Sequence, residues 1–445
     1  MSSLQQFANN VAAAYESQDA LAFEQLFTLN SDAPHITMIQ QELFMYQDDA
    51  SYERVIDSTL EDVSMALSNF VNKYIRLMRC IQDNDLAFVF DHFENFYSSL
   101  IPVFNGSDCA YQVPLVKNLS SALVNSAFLV DKTLQLRGKS QKANVAARLL
   151  SKIFNIMLAD RSGVETNKTS KRLGIFHVTN LAFKVYFKLN TVRMCQTFIA
   201  NLQTGGVELA QYPISQQVTY QYYLGRYSLF QNRLRLAEKY LQFSFDRCAS
   251  HQWHNKRLIL QYLIPTRLIL GKLPRPELLN KYDLLEPFQP LVQTLKNGDY
   301  HGFQQHLENY FDYFYSTFTY VLLRERGKVL MWRSLLRKTH LYSQAIEEKP
   351  ANTLSLQQCQ VALQFSMKTT DLDLADVESI LVSLVSQGYI KGYIHHQKKT
   401  MVLSKIKPFP RLVDVLIQTE VYDETAVKQH LAQLEQNSNG NGMME

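Results

Sequence analysis

At 445 residues and 46 % hydrophobic content, with only 15 glycines and 12 prolines, the chain can fill two or three packed, mostly helical units; a loop-rich or low-complexity protein is excluded. Five scattered cysteines without a CxxC pair exclude a disulfide framework and point to a reducing compartment; no signal-like leader and no apolar run of about 18 residues for a membrane span are read. The net charge of +4 hides an asymmetry: residues 1–110 carry −12, 111–319 carry +14, 320–411 carry +7 and 412–445 carry −5, a basic body with acidic ends.

Residues 1–110 are expected to be an acidic, comparatively self-contained helical region. Leu21, Phe23, Leu26 and Phe27 line a short helix, and 64–82 and 84–100 carry longer ones. Pro102, Gly106 and Pro114 predict a loop over 101–114. A second helical series follows, with apolar residues at three and four spacing over 116–136, 143–160 and 173–188. Its connectors, 137–142 and 161–172, are rich in basic residues and read as solvated loops.

From Gln216 a repeat unit is legible. Leu224-Gly225 is followed by Ala237, Leu241 and Ser244, the helix–turn–helix register of tetratricopeptide-type hairpins, with Asn232 at the turn. A similar hairpin is expected over 291–311, turning at Asn297-Gly298-Asp299 and packing through Phe303, Leu307 and Phe311. Between them 256–273 is nearly all apolar and belongs in a core, with Pro265 bending or splitting it. Such units cannot bury their faces alone, so 111–340 is expected to be one helical-repeat stack.

Residues 341–411 predict a winged helix. A first helix spans 354–367. A second spans 373–388, with Asp373 at its N-cap, Asp376 three residues on, a stripe of Ile380, Leu381, Leu384 and Val385, and Gly388 as its stop. Two short strands, 389–394 and 400–404, flank the polar tip 395–399. Residues 412–445 read as a terminal helix and a polar tail, disordered over 435–445.

No catalytic constellation emerges: there is no GxxxxGK[ST], GxSxG or HExxH. Asp371, Asp373, Asp376 and Glu378 are explained by helix capping. Cys248, His251 and His254 have metal-like spacing but lack a fourth ligand, and His395 and His396, adjacent on a strand, point to opposite faces. No cofactor or metal is therefore expected. What remains is surface charge. Lys391, His395, Lys398, Lys399, Lys405 and Lys407 cluster on the hairpin, interleaved with Tyr389 and Tyr393 as stacking aromatics. Arg324, Arg326, Lys328, Arg333, Arg337 and Lys338 lie on the helix that feeds the module. Cations neutralise phosphates and aromatics stack on bases, so the two sets together predict nucleic-acid binding without base specificity.

A helical-repeat body running into a C-terminal winged helix resembles the PCI domain. VTYQYYLGRYSLFQNRLRLAEKYLQFSFDRC, NKRLILQYLIPTRLILGKLPRPELLNKYDL and IKGYIHH are similar, in that order, to the PCI domain-containing protein two family, over about residues 110–411. The resemblance implies a right-handed stack of helical hairpins ending in a winged helix, and a non-enzymatic subunit of the nuclear transcription-coupled mRNA export complex at the nuclear pore. It implies two protein partners: a large export scaffold that pairs winged helices with it, and a small acidic disordered protein shared with the proteasome lid. The joint winged-helix surface would bind RNA or DNA. The alternative is a signalosome-associated PCI subunit acting only through protein contacts. A nuclear, partly cytoplasmic location follows from either, with no membrane and no small-molecule substrate.

Overall fold

A computed structural model describes residues 2–46, 48–161, 170–346 and 352–415. Most of the connector 161–172 and the expected helix and tail from 416 on lie outside the described residues. Contacts divide the chain into two units, Met1–Tyr223 and Leu224–Glu445. The described residues form twenty α-helices and one three-stranded sheet, so the mostly helical expectation is met.

In the first unit the helices are α1 Ser3–Glu16, α2 Ala20–Leu26, α3 Pro34–Leu43, α4 Asp49–Leu60, α5 Met65–Cys80, α6 Leu86–Asn105, α7 Val113–Thr133, α8 Lys142–Ala159, α9 Ile175–Lys188 and α10 Cys195–Thr204. Ser2, Asp19, Asp48, Ser64 and Asp85 each start a helix by accepting a hydrogen bond from a first-turn amide, which is why short polar residues recur at these boundaries. An aromatic core of Phe7, Phe23, Phe27, Phe70, Tyr74 and Phe96 joins α1, α2, α5 and α6, with Phe27 and Phe70 centroids 4.6 Å apart. Leu21, expected inside, is 64 % exposed; α2 turns only Phe23 inward, and Phe27 follows at its C-cap.

The expected loop over 101–114 shrinks to a 3-10 turn at Cys109–Gln112. Pro102 sits within α6, and Pro114 occupies the first turn of α7, where a missing N–H costs nothing. Cys109–Thr133 is long and apolar enough to cross a bilayer, contrary to the sequence reading. Here it is a core helix: Leu115, Val116, Leu119, Leu123, Val124 and Ala127 are buried, and α7 packs on α2, α6 and α8. The N-terminal helices are therefore continuous with those after residue 110. Charge reinforces the join, because Asp91 and Glu94 of α6 pair with Lys142 and Arg148 of α8 at 2.6 and 2.8 Å.

The second unit opens within α11 (Ile214–Phe230) and continues through α12 Leu234–Arg247, α13 Trp253–Ile269, α14 Pro276–Lys281, α15 Leu285–Asn297, α16 Tyr300–Asn309, α17 Phe311–Ser316 and α18 Tyr320–Ile346. The α11–α12 hairpin turns at Asn232, which takes a left-handed φ of 60°. A Cβ on Gly225 would stand 2.5 Å from Leu241 Cγ, so only glycine permits this helix crossing. Pro265 neither splits nor ends α13; burial of Ile259, Leu260, Leu263, Ile264, Leu268 and Ile269 against neighbouring helices holds it through the proline. Asp299 caps α16 through the Gly302 amide, and Phe303 and Leu307 are buried as expected. Phe311 is not part of that edge: it starts α17, is 39 % exposed, and stacks on Tyr315.

Candidate nucleic-acid interface

The winged module begins with β1 (Thr353–Ser355), which leads into α19 (Leu356–Met367); α20 (Leu374–Ser386) and the hairpin β2 (Gly392–His395) and β3 (Thr400–Leu403) follow. The strand order is β1-β3-β2, all antiparallel, with Leu354 and Ile394 both opposite Met401. Ser355 caps α19 through the Gln357 amide. Asp373 and Asp376 form a reciprocal capping box at 2.8 and 3.1 Å, and Gly388 takes a φ of +79° after α20 ends. Leu356, Cys359, Leu363, Val377, Leu381, Leu384, Met401 and Leu403 fill the module's core.

The strands' two-residue period decides what the wing presents. Met401 and Leu403 face the core, so their neighbour Val402 and its partner Tyr393 lie on the outer face with His395 and Thr400. Tyr393 is 62 % exposed, while Tyr389, expected beside it as a second stacking aromatic, is buried. It follows α20 and its amide donates to the Leu384 carbonyl, which draws it inward before the strand begins. Gly392 is needed where it stands, since a Cβ there would meet the Val402 carbonyl at 2.3 Å.

At the tip, residues 396–399 make a tight turn, with the Lys399 amide donating to the His396 carbonyl at 3.0 Å. His396 Nδ1 lies 2.9 Å from both carboxylate oxygens of Glu378 on α20, which ties the wing to its own helix. Lys391, Lys398, Lys399, Lys405 and Lys407 are exposed, and among the described residues none of them has a carboxylate partner. The wing thus combines free cations with one exposed aromatic.

The cations of α18 are arranged differently. Arg324 and Lys328 flank Glu325 at 3.3 and 2.6 Å, and Arg324 interacts with the Tyr320 hydroxyl. Arg326 is half-buried, and among the described residues it makes no ion pair. Nine residues after Arg324, about 13 Å along the helix, Arg333 is turned inward and donates to the Pro410 carbonyl at 2.7 Å. Burial, and then the neighbouring Arg337, push its guanidinium down to about 10. Lys338 reaches Asn297 Oδ1 at 3.4 Å, and Arg337 is exposed.

The sequence bounds the winged module at residue 411. Instead 408–415 is a strap across the second unit. The Pro408 carbonyl accepts from the Lys391 amide, Arg333 holds Phe409 and Pro410, the Phe409 ring lies on His340, and Arg235 of α12 donates to the carbonyls of Val413 and Val415. An arginine aimed at backbone carbonyls leaves no trace in a charge pattern, so Arg235 and the inward role of Arg333 were not legible.

A model of the PCI domain matches residues 310–405, which contain α18 and the winged module. A PCI domain-containing protein of Schizosaccharomyces pombe is 31 % identical over 92 % of this chain and 94 % of its own. The PCI domain-containing protein 2 of Danio rerio is 34 % identical over 63 % of this chain and 68 % of its own, and that of Xenopus laevis 27 % identical over 93 % and 98 %. The chain belongs to the PCI domain-containing protein 2 family. The helical hairpins and terminal winged helix described above are the architecture that this PCI assignment requires, and the relatives mark the chain as a PCI scaffold-type subunit.

Proposed function

We propose that this protein is a non-enzymatic scaffold subunit of a nuclear mRNA export assembly, gripping RNA or DNA through phosphate contacts made by its wing. The observation that carries the reading is the hairpin: Lys391, Lys398, Lys399 and Lys405 stand exposed, without carboxylate partners among the described residues, on the module that carries the exposed ring of Tyr393. Unpaired lysines release counterions when they meet phosphates, and a tyrosine face stacks on a base of any identity. Such a surface holds a strand without reading its sequence. The family resemblance supplies the assembly: a large export scaffold pairing winged helices with this one, and a small acidic protein attracted by the basic body. The nucleus and its pores are the proposed location.

The test is binding of single-stranded RNA to the purified full-length protein, alone and with its co-purifying partners, across a salt series. Lys391→Glu, Lys398→Glu and Lys399→Glu together should weaken binding on the order of a hundredfold at low salt and leave the helical circular-dichroism signal and Tm intact. Binding unchanged by the triple substitution would overturn the reading. A second reading, a subunit of a signalosome-like assembly that works only by protein contacts, is favoured by exposed apolar side chains on the same module: Phe365 at 85 %, Ile406 at 77 % and Val382 at 56 %. Proteins co-purifying with a tagged copy separate the two: export scaffold and pore proteins, or deneddylase subunits.

A further inference from the structure

Between α13, α15 and α18, under the strap, lies a cleft of about 220 Å³. Lys296, Arg333, Arg337 and Lys338 line it, and no aspartate or glutamate does. Arg333 and Arg337 are one helical turn apart, so both guanidinium groups rise from the same side of α18. Among the described residues none of the four cations has a carboxylate within ion-pair distance. Two glutamates elsewhere in this unit do answer cations: Glu238 takes both Arg267 and Lys272, and Glu325 takes Arg324 and Lys328. The Nε of Arg333 is buried and has no hydrogen-bond partner, although its Nη2 is engaged by the strap. A buried donor left without an acceptor is costly, and two guanidinium groups with no counter-charge repel each other. Like charge gathered around a concave space whose lining holds no counter-charge is the arrangement of an anion site.

We propose that this cleft binds a compact polyphosphate, a small anion carrying at least two phosphate groups. Guanidinium forks match phosphate oxygens in pairs, and the lysines add point charges at the rim. Four cations balance two phosphate groups, where a single one would leave charge uncompensated. The apolar side chains of Leu268, Leu295, Leu330 and Leu412 also line the cleft, a setting of low polarity that strengthens each contact. Occupancy also has a consequence for the wing. Arg333 holds Pro410 and Leu412 lines the cleft, so an anion that fixes Arg333 also fixes the strap, whose Pro408 carbonyl receives the Lys391 amide. The ligand would steady the winged module without touching its tip.

The experiment uses the full-length protein at constant ionic strength, with pyrophosphate as the probe and inorganic phosphate and sodium chloride as controls. Pyrophosphate should raise Tm saturably and more than inorganic phosphate does, as expected for a ligand that binds only the folded state. Lys296→Gln and Arg337→Gln alter exposed side chains, so the double variant should fold; each lost charge-assisted contact should weaken binding about tenfold. The wing variant Lys391→Glu/Lys398→Glu/Lys399→Glu should retain the full pyrophosphate response, which separates this site from the proposed nucleic-acid grip. A response matched by sodium chloride, or unchanged in the Lys296/Arg337 double variant, would overturn the proposal. So would a double variant that loses RNA binding as completely as the wing variant, since the cleft would then be one strip of the nucleic-acid surface.

Discussion

The wing and the start of α18 have similar formal charge and opposite circumstances. On the wing Lys398 and Lys399 project from a four-residue turn and Lys391 stands just before β2, and Glu378 of α20 is engaged by His396. On α18 Glu325 lies one residue from Arg324 and three from Lys328, and it engages both. The difference teaches that a run of cations becomes an interaction surface only when the fold keeps carboxylates away from it. A helix brings residues three and four apart together, so it neutralises its own charge; a tight turn fans its side chains outward.

The sharpest way to break this comparison is to reverse the wing. The Lys391/Lys398/Lys399→Glu variant should lose RNA affinity on the order of a hundredfold at low salt. The slope of log K against log salt should fall by about two to three, because three phosphate contacts are removed. Fluorescence anisotropy over a salt series reads both quantities. A large loss with an unchanged slope would mean that the wing acts by shape rather than by charge.

Next in size is a cation whose job is internal. Arg333→Ala removes the donor that holds Pro410 and leaves a carbonyl of the strap unpaired, at a cost of about 2 kcal/mol. Urea unfolding should show this as a lower midpoint, whereas Lys398→Ala should leave the midpoint where it was. His340 sharpens the same point by titration. Burial lowers its pKa, so the unfolded chain takes up the proton first, and the histidine's contribution is present at pH 7.5 and lost as pH falls through the His range. His340→Phe keeps a ring against Phe409 and removes the proton site, so Tm should fall less between pH 7.5 and pH 5.5 than in the parent, by a degree or two at most.

Much of this was legible because local chemistry and fold agree. Asp373, Asp376 and Gly388 mark the second winged helix to within two residues, and Gly225 with Ala237, Leu241 and Ser244 fixes the register of a helical hairpin. β1 escaped because three residues cannot display an alternation, and only pairing with β3 makes it a strand. Tyr389 reads as a stacking aromatic because it is grouped with the hairpin's lysines; its burial depends on the α20 carbonyl that captures it. Pro102 and Pro114 read as loop markers because nothing local says whether a proline stands at a helix start or inside a helix that packing sustains. For the candidate surface, composition located the cations, while their pairing, which sorts Lys398 from Lys328 and Arg333, exists only in three dimensions.

The smallest effect carries the finest test of that sorting. Glu325→Gln removes the carboxylate shared by Arg324 and Lys328 and turns the start of α18 into a second set of unpaired cations. If exposure and lack of a partner were sufficient for binding, this variant would gain RNA affinity comparable to what the wing supplies. The expected gain is about twofold or less, since Arg324 stands about 13 Å of helix from Arg333 and free surface charge beyond a Debye length of about 10 Å is screened. The rise should vanish at physiological salt while wing-dependent binding persists. A gain of tenfold or more that survives salt would join α18 to the wing as one continuous surface, and position along the helix would then matter less than the single glutamate that masks it.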